Sequence, residues 1–208
     1  MKTNNFNKLL LVEGKNDLHV ILSLCEKFEI VQNFEIKDTN GYDNLIKGLP
    51  IRIKNKKEST IGIIIDADFE LGKRWESISS ILRASGYEIP KNIPTNGLII
   101  GNESQVIIGI WMMPNNKFEG MLEGFIAFLV PENDETMPYV DNLMTTIETK
   151  NLNKYSLPNN KSKARIHTWL GLQESPGSPL GQAITKKYLT TENEVCGLFI
   201  NWLNVLFA

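Results

Sequence analysis

The sequence predicts an α/β fold: a mainly parallel sheet flanked by helices, with an added β-hairpin and a helical C-terminal part. Three observations carry this expectation. The runs Leu9–Val12 and Ile61–Ile65 are continuously apolar, as strands buried on both faces are. Stretches with apolar residues at helical spacing alternate with these runs. Beyond about residue 114, helical patterns alone remain.

Taken in order, Leu9–Val12 is a first strand that ends at Glu13-Gly14. Leu18, Ile21, Leu22 and Cys25 give helical spacing over Asp17–Phe28. Phe34-Glu35-Ile36 is a weak second strand, broken by Asn40-Gly41. Leu45–Lys57 is expected to be helical in part, with interruptions at Gly48 and Pro50. Ile61–Ile65 is the strongest strand and ends in Asp66-Ala67-Asp68. Trp75, Ile78, Ile81 and Leu82, with a closing Gly86, indicate a helix over 73–85. The first 90 residues therefore read β-α-β-α-β-α. Gly97–Ile100 and Val106–Met113 read as two strands joined at Gly101-Asn102, and Pro114-Asn115-Asn116 ends the second. Helices are expected over 118–130, 136–149, 161–170 and 193–207. With no internal repeat or low-complexity linker, one domain is expected: a core at 1–90, a hairpin and acidic helix at 97–130, and a helical extension at 131–208.

The 208 residues are 42% hydrophobic and 22% charged, an ordinary globular profile that excludes a disordered tail or a disulfide-stapled miniprotein. Lys+Arg 22 against Asp+Glu 24 gives −2, so no global basic field advertises nucleic acid, although a local patch can still hold phosphate. The balance hides an asymmetry. From Glu119 to Glu148 the charged residues are all acidic; from Lys150 to Lys187 they are basic except Glu174. Solvated helix faces explain most such runs. The functional alternative is an acidic metal site beside a phosphate-binding basic rim. Cys25 and Cys196 are expected to be free buried thiols in a reducing cytosol. The run Leu9–Val12 is too short for a signal peptide, and no stretch nears the ~20 apolar residues of a membrane span. A soluble cytoplasmic protein without a membrane partner is expected.

Three carboxylates stand where a sheet would present them: Glu13 after the first strand, and Asp66 and Asp68 at the end of the strongest. Residues two apart on a strand share a face, so Asp66 and Asp68 are expected to point together. If the two strands are neighbours, the three groups converge at the carboxyl edge, where open α/β sheets bind ligands. Carboxylates that close repel one another unless a cation or proton intervenes, and Mg²⁺ prefers such hard oxygens. This points to a divalent-metal site for phosphoryl chemistry. The plainer readings are that Asp68 caps the following helix and that Glu13-Gly14 is a strand-to-helix turn. Lys163 and Arg165 are candidates for holding phosphate. His167, four residues beyond Lys163, could exchange a proton, but a structural histidine in a helix interface is favoured. Lys15 either approaches the crevice or lies exposed. Trp111 and Trp169 are assigned to the core.

Val12-Glu13-Gly14-x-x-Asp17 followed by Ile63-Ile64-Ile65-Asp66-x-Asp68 resembles the TOPRIM domain, the Rossmann-like fold shared by topoisomerases, bacterial primases and several nucleases. The resemblance implies that Glu13 is a general acid or base and that Asp66 and Asp68 hold Mg²⁺, with Mn²⁺ as a substitute. A second set of residues resembles a group of small prokaryotic TOPRIM-like proteins: Arg74-Trp75, Trp111 to Asn115, Gly120 to Glu123, and Lys163-Ala164-x-x-His167-Thr168-Trp169-Leu170. So do Pro176-Gly177 and Leu180-Gly181-x-Ala183-Ile184. Leu122-Glu123-Gly124-Phe125 is similar to a helix-borne Ile-Glu-Asn-Tyr motif of the overcoming-lysogenization-defect nucleases, which implies a metal-binding role for Glu123. Gly124 departs from that motif, where Asn stands.

The chain lacks a GxxxxGK[ST] phosphate loop and any Cys/His cluster for a primase zinc ribbon, and it has little room for a strand-passage domain. The expectation is a Mg²⁺-dependent nuclease-like phosphodiesterase acting on DNA or RNA. In it Glu13 and Lys163 serve the reaction, Glu13, Asp66, Asp68 and Glu123 the metal, and Lys15, Lys163, Arg165 and His167 the phosphates. One alternative is a non-catalytic module binding nucleic acid, nucleotide or protein. A partner ATPase and a role in phage defence are implied by the resemblance alone, and oligomerisation is left open. A second alternative is a haloacid-dehalogenase-like phosphatase, ranked low because a βαβα unit precedes the DxD.

Overall fold

In the computed structural model, residues 6–155 and 158–208 are described. One sheet contains β1 (Lys8–Val12), β2 (Glu35–Asp38), β3 (Thr60–Asp66), β4 (Leu98–Ile100) and β5 (Ile107–Met113), in the order β2-β1-β3-β5-β4. Four strands run parallel, and β4 joins one edge antiparallel to β5. Helices α1 (Lys15–Lys27), α2 (Tyr42–Asn55) and α3 (Leu71–Ala84) follow the first three strands. Helices α4 (Leu122–Phe128), α5 (Met137–Thr149), α6 (Pro158–Leu170), α7 (Leu180–Thr185) and α8 (Glu194–Phe207) follow β5.

The strand pleat sorts the core into two layers. Leu9 and Leu11, Ile61, Ile63 and Ile65, and Ile108, Ile110 and Met112 pack against Leu45, Leu49 and Ile53 of α2 and Trp75, Ile78 and Leu82 of α3. The alternate residues Leu10, Val12, Ile64, Trp111 and Met113 pack on the other face with α1 and α4 to α8. Burial on both faces is why β1, β3 and β5 read as unbroken apolar runs. Each such side chain contributes ~1.5–3 kcal/mol on burial, which fixes register, since a one-residue slip would exchange the two layers.

The expected elements are present with four differences. The second helix is continuous, with Gly48 and Pro50 inside it. Its buried face is Leu45, Leu49 and Ile53, and Pro50 is exposed, so the hydrogen bond that Pro50 cannot donate is lost where water can replace it. The helix expected over 118–130 is only Leu122–Phe128. Gly120, at φ 137°, instead bridges the backbone of Asp68, with N–H···O distances of 2.7 and 2.8 Å. The second strand lies one or two residues later than its apolar centre suggested, and α7 is an additional helix.

Part of the charge asymmetry resolves as helix pairing. Arg165 on α6 meets Asp141 on α5 (Nη2–Oδ2 2.9 Å), and Lys161 meets Glu148 (2.7 Å). Such surface pairs contribute ~0.2–1 kcal/mol each. Cys25 and Cys196 are free and buried, and burial pushes both thiols up to about 11. Among the described residues, no helix is long and apolar enough to cross a membrane.

Candidate metal centre and phosphate crevice

The sheet order places the crevice. From β1 the chain moves outward to β2, then returns past β1 to form β3, so its lateral direction reverses between β1 and β3. Connections leave those two strands on opposite faces, and a gap opens at their carboxyl ends. Glu13 is the first residue after β1, and Asp66 is the last residue of β3. Gly41, whose φ of 106° suits glycine, donates its N–H to the Glu13 carbonyl at 2.7 Å and borders the gap from the β2 side.

Hydrogen bonds lock the acidic groups together. Glu13 Oε1 accepts the Asp66 backbone N–H at 2.8 Å. Asp66 Oδ1 accepts the Leu122 N–H at 3.1 Å, which docks the start of α4 and brings Glu123 to the crevice. Asp17 Oδ2 accepts the Gly14 N–H at 3.2 Å. Glu13, Asp17, Asp66 and Glu123 line one cavity of about 350 Å³, together with Lys15 and Lys163. Glu123 is only 3% exposed and Asp17 8%.

The electrostatics follow from this crowding. Burial, partly offset by the hydrogen bond from Asp66, pushes the Glu13 carboxyl up to about 7. Burial and the nearby Glu123 push Asp17 up to about 6. Asp66 is pushed well above the usual carboxylate range by burial and then by Asp17, Glu13, Asp68 and Glu123. A cation in the crevice would relieve this repulsion.

Asp68 takes a different position from the one its spacing suggested. Strand β3 ends at Asp66, and Asp68 turns into the left-handed region at φ 52°, so strand alternation no longer governs it. Its carboxylate pairs with Arg74 and borders an adjoining cavity. It does not cap α3 either, whose N-cap is Glu70. It stays within electrostatic reach of Glu13 and Asp66.

Of the basic candidates, Lys163 and Lys15 reach the crevice lining; both are also exposed to solvent. Arg165 is held by Asp141, and His167 is exposed rather than packed in an interface. Neither lines the crevice. Trp111 and Trp169 are fully buried, as core residues. Asp17 is the site residue that sequence reasoning left without a role. Its signal was the third position of the helix after Gly14, where a carboxylate can turn back onto the strand end.

Among the described residues, no three His, Cys, Asp or Glu side chains form a ready metal-ligating group. The donor set still fits a hard divalent cation, because buried carboxylate oxygens that raise one another's pKa are matched by such a charge.

A sequence profile for proteins of unknown function, designated DUF3226, matches residues 7–208, nearly the whole chain. The chain belongs to the DUF3226 family. In this DUF3226 protein the match takes in every residue that lines the crevice, from Glu13 to Lys163. No curated protein and no solved structure is significantly similar to it.

Proposed function

We propose that this DUF3226 protein is a divalent-metal-dependent phosphodiesterase acting on DNA or RNA, built on a TOPRIM-like form of the α/β fold. The observation that carries the reading is the buried acidic crevice at the β1/β3 switch point, with Lys15 and Lys163 on its rim. The resemblance of Glu13 and Asp66-x-Asp68 to TOPRIM motifs supports it.

Asp66, Glu123 and Asp17 would supply the oxygen ligands for Mg²⁺ or Mn²⁺, with Asp68 beside them and still paired to Arg74. When bound, such a cation supplies positive charge against the phosphate oxygens. Lys163 and Lys15 hold and neutralise the phosphate. Glu13, with a carboxyl near neutrality, takes the proton of the attacking water and returns one to the departing oxygen. One P–O bond forms from water and the ester P–O bond breaks. The pairing of Asp68 with Arg74 favours a second reading, a binding module that needs a partner such as an ATPase to complete its site.

Calorimetric titration of Mg²⁺ and Mn²⁺ into the wild type and into Asp66→Ala/Asp68→Ala tests this. Labelled single- and double-stranded DNA and RNA are then offered to each. Metal binding and cleavage are expected in the wild type and lost together in the variant. Undiminished cleavage by the variant would overturn the assignment, and metal binding without cleavage would favour the partner-dependent module.

A further inference from the structure

Next to the acidic crevice lies a second cavity of about 610 Å³, bordered by Tyr42, Asp68, Phe69, Lys73, Arg74 and Met121, among others. Its size falls within the ~300–1,000 Å³ of ligand pockets. Met121 borders both cavities, so the two adjoin.

The second cavity differs in chemistry from the first. Its basic groups are already neutralised: Arg74 pairs with Asp68, and Lys73 with Glu70. A phosphate would find no uncommitted cation there, unlike at Lys15 and Lys163. What the cavity offers is flat, polarisable surface. The Arg74 guanidinium lies 3.7 Å from the centroid of the Tyr42 ring. Phe69 is 37% exposed at the cavity edge, and Met121 adds a thioether. An aromatic face, a stacked guanidinium and a thioether suit a neutral planar ring.

We propose that this cavity is a nucleobase subsite, seating the base beside the phosphate held in the acidic crevice. The inference rests on the phosphodiesterase reading and adds a substrate class to it: single-stranded nucleic acid. In a duplex both faces of a base are covered by its neighbours, so only an unstacked base can lie against Phe69 and Arg74. Phe69 follows Asp68 directly, so one short turn ties the base position to the metal-centre carboxylates.

The test is binding of a short fluorescein-labelled single-stranded DNA, its RNA counterpart and the blunt duplex, with Ca²⁺ replacing Mg²⁺. The proteins compared are the wild type, Phe69→Ala and Phe69→Tyr. Phe69 is partly exposed and lies outside the core, so both variants should fold; circular dichroism and the melting temperature check this. Phe69→Ala is expected to weaken single-strand binding about tenfold, as loss of one stacked base does, and Phe69→Tyr to restore it. Duplex binding should be weaker than single-strand binding and insensitive to both. Equal single-strand affinity in wild type and Phe69→Ala overturns the subsite while leaving the phosphodiesterase reading intact. Absence of any oligonucleotide binding by the wild type removes both. Binding of AMP as tight as that of the strand, and lost in Phe69→Ala, would reassign the cavity to a free nucleotide and overturn the strand assignment.

Discussion

Glu13 and Asp17 make a direct link between site chemistry and stability. Their folded pKa values, about 7 and about 6, lie above the ordinary 4.5 and 3.8. Each therefore binds its proton more tightly in the folded state, and folding loses free energy as pH rises through the window between those values. The cation-free protein should melt at a lower temperature near pH 8 than near pH 5, with a difference of roughly 2.5 kcal/mol from Glu13 alone. Asp141 and Glu148, held low by their hydrogen bonds to Arg165 and Lys161, act in the opposite sense, but below the pH 5 to 8 range. Asp66→Asn keeps an oxygen for the Leu122 N–H and cannot ionise, so it removes the cost of charging a buried carboxylate among its acidic neighbours. It should stabilise the cation-free protein by on the order of 1 kcal/mol near pH 8. Differential scanning calorimetry across pH checks both, and a flat profile for the wild type would contradict the buried-carboxylate account.

The two basic candidates on α6 separate at the same scale. Lys163 lines the crevice, while Arg165 is committed to Asp141. Lys163→Ala should weaken nucleic-acid binding and flatten its salt dependence by about one phosphate contact, and Arg165→Ala should leave both nearly unchanged. Equal losses from the two would show that α6 presents its basic face as a whole. The carboxylates were legible in sequence because strand ends concentrate ligands at a sheet's carboxyl edge. The turn of Asp68 away from Asp66 was not, because it depends on a bridge to Gly120 more than fifty residues away. The division of labour between Lys163 and Arg165 was equally hidden, since it depends on where α5 packs.

Among the elements, α8 and the two central strands show how close approach constrains sequence. Gly62 of β3 and Gly109 of β5 are register partners, and a Cβ at Gly109 would stand 2.4 Å from Leu206 Cδ2. The paired glycines form a shallow trough in which α8 rests. Gly109→Val should destabilise by about 1–3 kcal/mol through overpacking, read as a drop in melting temperature without loss of strand content. A melting temperature equal to the wild type would show that α8 can lift away freely. Gly124 has a similar explanation: a Cβ there would meet Pro114 Cβ at 3.2 Å, so the tight seat of α4 on the end of β5 favours glycine. The strands, α1, α3, α5 and α8 were readable from periodicity. Helix α2 was blurred by a proline whose cost is small on an exposed face, and the start of α4 by a glycine whose partner lies across the sheet.

For the molecule as a whole, the pleat divides labour between two layers. The layer with α2 and α3 draws on residues 9–112, whereas the layer with α1 and α4 to α8 runs from Leu10 to Phe207. The first can be assembled from consecutive βα units, and the second needs contacts across almost the entire chain. This has a consequence for synthesis. A ribosome delivers β1, β3 and β5 well before residues 194–207, so the glycine trough and Trp111 emerge as a bare apolar wall awaiting its cover. Nascent chains stalled before Glu194 should be bound by hydrophobic-segment chaperones or precipitate, and release of the last helix should end that dependence. The acidic crevice opens at the edge between these layers, so its geometry would be completed only after translation has delivered α4 and α6.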